Sequence, residues 1–317
     1  MPLVSVITPS YNQMKFLEKT MHSVLDQDYP DLEYFVMDGG STDGSVEVIQ
    51  KYADRLTGWV SEPDRGQADA VNKGFQRARG EYIGWLNSDD LYQPGSIRRA
   101  VECFQTHPEA GMVFGDVLAI DGDGRAINLM KYGNWGLPDL MTFHIIGQPG
   151  VFFRRSILEK TGGLDLSYHF LLDHHLWLRM AALAPMVYQP ETQASARFHP
   201  AAKNRAQAAL FGQEAYRLAE WLETDPVYAA FFPKLHRQVW AGAHRMNARY
   251  LLDGHQPLAA LKAYWQGLKL NPVTVLPESH RMIYAVLSLL GLGSLRKIYY
   301  GLRQRRFDAR NKGREKE

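Results

Sequence analysis

A single cysteine, Cys103, occurs in 317 residues. That excludes an internal disulfide framework and any cysteine-based zinc site, and it suits a reducing compartment. Met1-Pro2 leads straight into a strand pattern, with no basic and apolar leader to read as a signal peptide. Long hydrophobic runs are missing too. The longest apolar stretch, Met282 to Leu295, falls short of the roughly 20 residues a transmembrane helix needs. No nucleic-acid-binding motif is present. Asp121-Gly122-Asp123-Gly124 lacks the later glutamate of an EF-hand loop and reads as a hairpin turn. These gaps leave a cytoplasmic globular protein, and its composition of 45% hydrophobic and 22% charged residues agrees.

The net charge of +2 conceals two opposed halves. Residues 1–200 carry 17 basic and 25 acidic side chains, whereas residues 201–317 carry 19 basic and 9 acidic. An acidic body suits a bound cation, and a basic tail suits an anionic surface. Without a nucleic-acid motif, that surface is expected to be phospholipid rather than nucleic acid.

The body is organised around Gly80 to Gly95, G-E-Y-I-G-W-L-N-S-D-D-L-Y-Q-P-G. Tyr82 to Leu86 is long enough for one buried strand, and Asn87, Ser88, Asp89 and Asp90 follow at its tip. Adjacent carboxylates there repel and lose solvation unless a cation or hydrogen-bond donors compensate. Strand ends of this kind bind ligands in open α/β sheets, and oxygen ligands suit Mg²⁺ or Mn²⁺. The competing reading is an exposed Asp-Asp turn capping a helix.

Around that stretch, strand and helix patterns alternate. Leu3 to Thr8 reads as a β-branched strand ended by Pro9, followed by an amphipathic helix through Phe16, Leu17, Met21 and Val24. Tyr34 to Met37, Trp59 to Ser61, Met112 to Asp116 and Gly150 to Arg155 are further strands. Val187-Tyr188 and Ala196 to His199 are two more, and helices lie at Val46–Tyr52, Ala68–Ala78, Ser96–Phe104 and Leu171–Leu183. Such alternation argues for βαβ units around a mostly parallel sheet. Beyond about residue 204 the pattern is helix after helix. Ala248 to Pro272 faintly resembles one tetratricopeptide-type helical pair, too short to form an array alone.

Five blocks in order, V-S-V-I-T-P-S-Y-N-Q, V-M-D-G-G-S-T-D-G-S, S-E-P-D-R-G-Q-A-D-A-V-N-K-G, G-W-L-N-S-D-D-L-Y and Q-P-G-V-F-F-R-R to D-H-H-L-W-L-R, resemble family 2 glycosyltransferases of bacterial surface polysaccharides. The resemblance covers about residues 3–200. It implies the GT-A fold, a Rossmann-like, mostly parallel α/β sheet with flanking helices, over residues 1–204. Residues 205–317 then form an α-helical carboxy-terminal extension with a basic tail.

The resemblance also implies a site. Pro9, Tyr11 and Asp38 would hold the base of a nucleoside-diphosphate sugar, a UDP-sugar first and a GDP- or dTDP-sugar otherwise. Arg65 and Asp69 would line the donor pocket, unless they form only a surface ion pair. Asp89 would bind Mn²⁺ or Mg²⁺, with Asn87 replacing the first carboxylate of the family's Asp-x-Asp motif. Asp90 would orient the ribose or support the loop. Asp173 would be the catalytic base of an inverting transfer to a glycan expected to be carried on lipid at the cytoplasmic membrane face, or else a helix-capping aspartate. His199 would complete the metal's coordination, or be structural. The adjacent His174 and His175 point apart on a helix and so do not share a zinc ion.

Two other classes compete. A nucleotidyltransferase would show a Gly-rich, basic phosphate loop after the first strand, and Pro9-Ser10-Tyr11-Asn12-Gln13 has neither feature. A non-catalytic binding or scaffold module would explain Asn87, but Asp38, Asp89 and Asp173 together speak against it.

Overall fold

The computed structural model describes residues 1–199 and 208–292. It divides into two compact units. One comprises residues 1–120, 129–137 and 145–197, and the other residues 121–128, 138–144 and 198–317. The division thus takes two short body segments into the helical unit.

The first unit is built on a sheet of β1 (Val4–Ser10), β2 (Leu32–Asp38), β3 (Gly58–Ser61), β4 (Tyr82–Trp85), β5 (Leu91–Tyr92), β6 (Met112–Asp121), β7 (Ala126–Met130), β8 (Val151–Arg154) and β9 (Met186–Phe198). The order is β3-β2-β1-β4-β8-β6-β9-β5, with β7 beside β6. Pairing is parallel from β3 to β4 and antiparallel at β4–β8, β8–β6 and β9–β5. The parallel half is the βαβ part read from the sequence, and the antiparallel strands complete a mixed sheet. Helices α1 (Met14–Leu25), α2 (Ser45–Lys51), α3 (Gln67–Arg77) and α4 (Ser96–Thr106) flank or connect the strands, as do α6 (Arg155–Thr161) and α7 (Leu172–Ala181), while α5 (Leu137–Met141) falls almost wholly in the other unit.

Pro9 does not end β1 as expected; the strand runs to Ser10. The reason lies in which side each residue faces. Leu3 and Ile7 bond toward β4 through Glu81 N→Leu3 O and Leu86 N→Ile7 O, while Ser10 O accepts from Gly39 N beyond β2. Pro9 therefore faces the β4 side, where pairing has already stopped at Ile7 opposite Trp85. Its missing N–H costs no ladder bond there. The two late strands expected around residues 187 and 196 are one continuous β9. The Asp121–Gly124 turn closes as expected, through Gly124 N→Asp121 O at 3.0 Å.

The second unit contains α8 (Ala208–Thr224), α9 (Pro226–Ala229), α10 (Phe232–Asp253), α11 (Pro257–Leu270), α12 (Pro272–Val275) and α13 (Ser279–Leu289). Its starts follow a sequence rule. Asp225 and Asn271 each precede a proline and accept a backbone N–H from Val227 and Thr274, which pairs an N-cap with proline at the first helical position. The helical pair read at Ala248–Pro272 is α10's end and α11, broken by the Gly254–Gln256 turn, where His255 has φ 60°. Small residues let these helices pack closely around Ala241, Ala248, Ala263, Tyr264 and Val275.

One buried carboxylate ties this unit together. Glu278 accepts from Arg249 and, at 2.8 Å, from the Tyr264 hydroxyl, with Arg245 Nε 3.9 Å away. Burial works to raise its pKa, but the Arg249 charge and hydrogen bond outweigh it and leave the carboxyl below its ordinary value. The depressed folded pKa means that the stabilisation is present above the unfolded value and fades as pH falls through the folded one. Breaking a buried pair leaves charge uncompensated. Glu278→Gln is expected to destabilise the protein by about 3 kcal/mol at pH 7. Thermal melts at descending pH should show the deficit shrinking below about pH 4.5; a constant deficit would mean that the charge is not what stabilises.

Candidate active site

The carboxyl ends of the parallel strands gather the residues singled out in the sequence. At the end of β2, Asp38 is buried, and its carboxylate organises its own loop. Oδ2 accepts from Gly40 N (3.1 Å), Ser41 N (2.8 Å) and Ser61 Oγ (2.7 Å), whereas Oδ1 accepts from Ser41 Oγ alone (2.6 Å). Gly39 admits Asp64 beside this loop: a Cβ there would lie 2.6 Å from Asp64 Oδ2. In register with Asp38, Ser10 ends β1, and its buried Oγ has no hydrogen-bond partner among the described residues. Pro9 is buried inside the strand, while Tyr11 is 62% exposed and leaves a ring face open.

The second cluster lies at the tip of β4. Asn87 Oδ1 accepts from Gln67 Nε2 (2.7 Å) and Trp85 Nε1 (3.0 Å), and its Nδ2 donates to Gln148 Oε1 (2.9 Å) and, more weakly, Asp90 Oδ2 (3.4 Å). A primary amide has two donor and two acceptor positions. All four are occupied within the protein, so Asn87 serves as the bracket of the loop. Gln148 closes the ring by donating to Trp85 O at 2.6 Å.

Asp90 is buried and points inward, accepting from Arg197 N at 2.8 Å. Thr20 Oγ1 donates to both Ser88 O and Asp90 O, and Arg197 Nε donates to Asp89 O while its guanidinium lies over the Phe16 ring. Burial, then the neighbouring Asp89 carboxylate, push the Asp90 carboxyl well above the usual range. The Asp90 carboxylate thus joins the loop to the end of β9. Asp89 is only half-buried.

That geometry bears on whether a metal fits. Among the described residues no set of three His, Cys, Asp or Glu side chains is placed to hold an ion. Crowded negative charge at Asp89-Asp90 nevertheless favours a cation beside it. Mg²⁺-like ions are commonly held by one or two carboxylates together with a ligand's phosphates. The donor set here fits that shared arrangement and not a closed protein cage.

Arg65 and Asp69 are paired, Arg65 Nη2 to Asp69 Oδ1 at 2.9 Å, with Arg65 largely exposed and Asp69 nearly buried at the start of α3. Asp69 is held below the ordinary carboxylate range first by that Arg65 hydrogen bond. Asp173 sits in the first turn of α7, two residues past the cap position at Leu171, so it is not the helix cap; its Oδ1 accepts from His174 N. Trp177, one turn on, packs its ring 6.4 Å from that of Trp85, the residue whose indole holds Asn87. Arg179 fixes the approach to α7 by donating to Thr161 O and Gly163 O, and Asn72 of α3 exchanges two bonds with Leu164. His174 and His175 are buried, with Tyr168 stacked on His175. His199 follows β9 directly, is buried, and belongs to the second unit.

Gln67, Gln148, Thr20 and Arg197 were not anticipated. Gln67 and Gln148 stand inside blocks with clear motifs, but their partners are 20 and 61 residues away.

The family model described as "Glycosyl transferase family 2" matches residues 5–162. A putative teichuronic acid biosynthesis glycosyltransferase of Bacillus subtilis is 42% identical over 170 residues, which span 52% of this chain and 66% of that protein. Among solved structures, Staphylococcus aureus TarS (residues 1–349, in complex with UDP-GlcNAc) has a TM-score of 0.58 at 16% identity, covering 88% of this chain and 91% of that one. Mannosyltransferase PcManGT from Pyrobaculum calidifontis, in complex with GDP-Man and Mn²⁺, has a TM-score of 0.59 at 21% identity, covering 94% and 87%. At such identities these two likenesses establish the fold. It is the GT-A fold with helices following it.

Thr20→Val keeps the side chain's shape and deletes the hydroxyl that grips the acidic loop. It is expected to cost about 1–3 kcal/mol, because buried carbonyls lose their donor. Urea unfolding measures this, and an unchanged midpoint would show that the loop is held without Thr20.

Proposed function

Residues 5–162 belong to glycosyl transferase family 2, and from that premise we propose that this glycosyltransferase moves a sugar from a nucleoside-diphosphate donor to a hydroxyl of a glycan, with inversion. The observation that supports the reading best is the bracketed Asn87–Asp90 loop. It presents Asp89 at the tip of β4 while the flanking Asn87 amide and Asp90 carboxylate are held by the protein.

In this reading the base lies against Tyr11, with its ring N–H donated to Asp38 Oδ1, the less occupied oxygen of that carboxylate. Ser10 Oγ, buried and without a partner among the described residues, gains one from the donor. Arg65 and Asp69 line the donor pocket as a pre-formed pair. Asp89 would hold Mn²⁺ or Mg²⁺ together with the donor's phosphates, and the ion when bound supplies positive charge to the departing diphosphate. Asp173 takes the proton of the acceptor hydroxyl. As that oxygen bonds to the anomeric carbon from one face, the bond to the phosphate oxygen breaks on the other and its electron pair leaves with the diphosphate.

Similarity to the teichuronic acid relative supports a bacterial polysaccharide acceptor, and such acceptors carried on lipid would be met at the cytoplasmic face of the membrane. A UDP-sugar is the first donor to try, with GDP- and dTDP-sugars next. A thermal-shift panel of nucleoside diphosphates, with and without Mn²⁺, tests the donor side. The expected result is stabilisation by one base that deepens with Mn²⁺, since a ligand bound only to the native state raises its stability. Indifference to all of them would overturn the reading and favour a scaffold module.

Two substitutions test the roles. Asp89→Asn is expected to abolish turnover with an unchanged melting temperature; full activity at saturating Mn²⁺ would remove Asp89 from the metal site. Asp173→Asn should lower kcat by roughly two to four orders of magnitude while leaving nucleotide affinity intact. A collapse of affinity instead would move Asp173 into the donor pocket.

A further inference from the structure

The last described helix leaves an aliphatic face uncovered. Ile283 and Val286 on α13 and Leu290, its C-cap residue, are spaced three and four residues apart and so form one stripe, 61%, 46% and 67% exposed. Leu289 and Leu292 extend it. The opposite side is satisfied: Ala285 is fully buried, and Met282 and Tyr284 pack against the alanine- and leucine-lined clusters of the same unit. Segment 279–292 contains no acidic residue, and its one arginine, Arg281, is paired to Asp253 at 3.2 Å.

The chain that follows supplies the complementary chemistry. Residues 296–317 carry nine basic and three acidic side chains, with Tyr299 and Tyr300 among them. Aliphatic side chains on a helix face, basic residues next to them and tyrosines at the junction are the composition of a segment that lies in the plane of a bilayer. Among the described residues, no helix is long and apolar enough to cross one.

We propose that the Ile283–Val286–Leu290 face of α13 docks on an anionic lipid bilayer, the aliphatic stripe entering the headgroup boundary and the basic residues meeting the lipid charge. Two weak contributions act together here. Apolar insertion alone on so short a stripe is reversible, and electrostatic attraction alone is screened by salt. This inference rests on the helical unit, so it survives or fails independently of the donor chemistry.

Flotation of the full chain with vesicles tests it, using phosphatidylglycerol mixed with phosphatidylcholine against pure phosphatidylcholine. At about 50 mM salt the protein should float with the anionic vesicles only, and binding should weaken steeply at about 500 mM. The variant carrying Ile283→Asp, Val286→Asp and Leu290→Asp should lose about tenfold or more of that binding, with its melting temperature and nucleotide-induced stabilisation retained. Hydrogen exchange on the unsubstituted chain gives a second readout, because vesicles should protect the amides of residues 279–292. No binding by the natural sequence, full binding by the variant, or protection confined to residues beyond 292 would each overturn the proposal. So would a dimer that the triple substitution converts to monomer without any lipid binding, since a second copy would then be what covers the face.

Discussion

The amide of Asn87 is the constraint on which the rest of the site depends. Its four hydrogen bonds reach the start of α3 through Gln67, the end of β4 through Trp85, the turn before β8 through Gln148, and the second carboxylate of its own loop. Replacing it with a carboxylate would lose both donors and add charge beside an Asp90 already raised by burial and by Asp89. An uncharged residue at this position therefore follows from the electrostatics of the loop. The same residue that looked like a departure from the family's acidic pattern is what lets the remaining carboxylates stand so close together.

The structure also separates two kinds of aspartate that look alike in sequence. Asp38 and Asp90 are buried and spend most of their acceptor capacity on their own loops, through Gly40, Ser41 and Ser61 in one case and Arg197 and Asn87 in the other. Asp89 and Asp173 are only partly buried. Carboxylates of the first kind shape the backbone, and those of the second kind are the ones we propose meet a ligand. Catalytic geometry needs both, because a group held loosely by its surroundings cannot be aimed.

Much of this was legible in the chain. The βαβ alternation, the acidic tip after Trp85 and the succession of helices from Ala208 onward all follow from local periodicity and composition, which a single sequence displays, while the boundary expected near residue 204 lies outside the described residues. What stayed hidden depends on distant partners. Thr20 reads as one more residue on an amphipathic helix, yet it grips carbonyls 68 and 70 residues away. Arg197 reads as part of one more strand, but its backbone and side chain both serve the Asp89–Asp90 turn. Strand β5, only two residues long, exists because β9 passes beside it. Pro9 misled for a related reason: whether a proline ends a strand depends on whether its missing N–H faced a partner. Glu278 gave no local signal either, since its partners Arg249, Arg245 and Tyr264 come from other helices.

The uneven loading of Asp38 carries a further consequence. One of its oxygens receives three donors and the other a single one, so the carboxylate retains acceptor capacity chiefly in one direction. If a nucleobase rests there, the vacancy works as a filter on tautomeric pattern. Uracil, thymine and guanine present a ring N–H and can be received, whereas cytosine and adenine present lone pairs at the corresponding ring nitrogen and would be repelled. Selection among activated sugars would then begin with the polarity of one hydrogen bond, before the sugar itself is read.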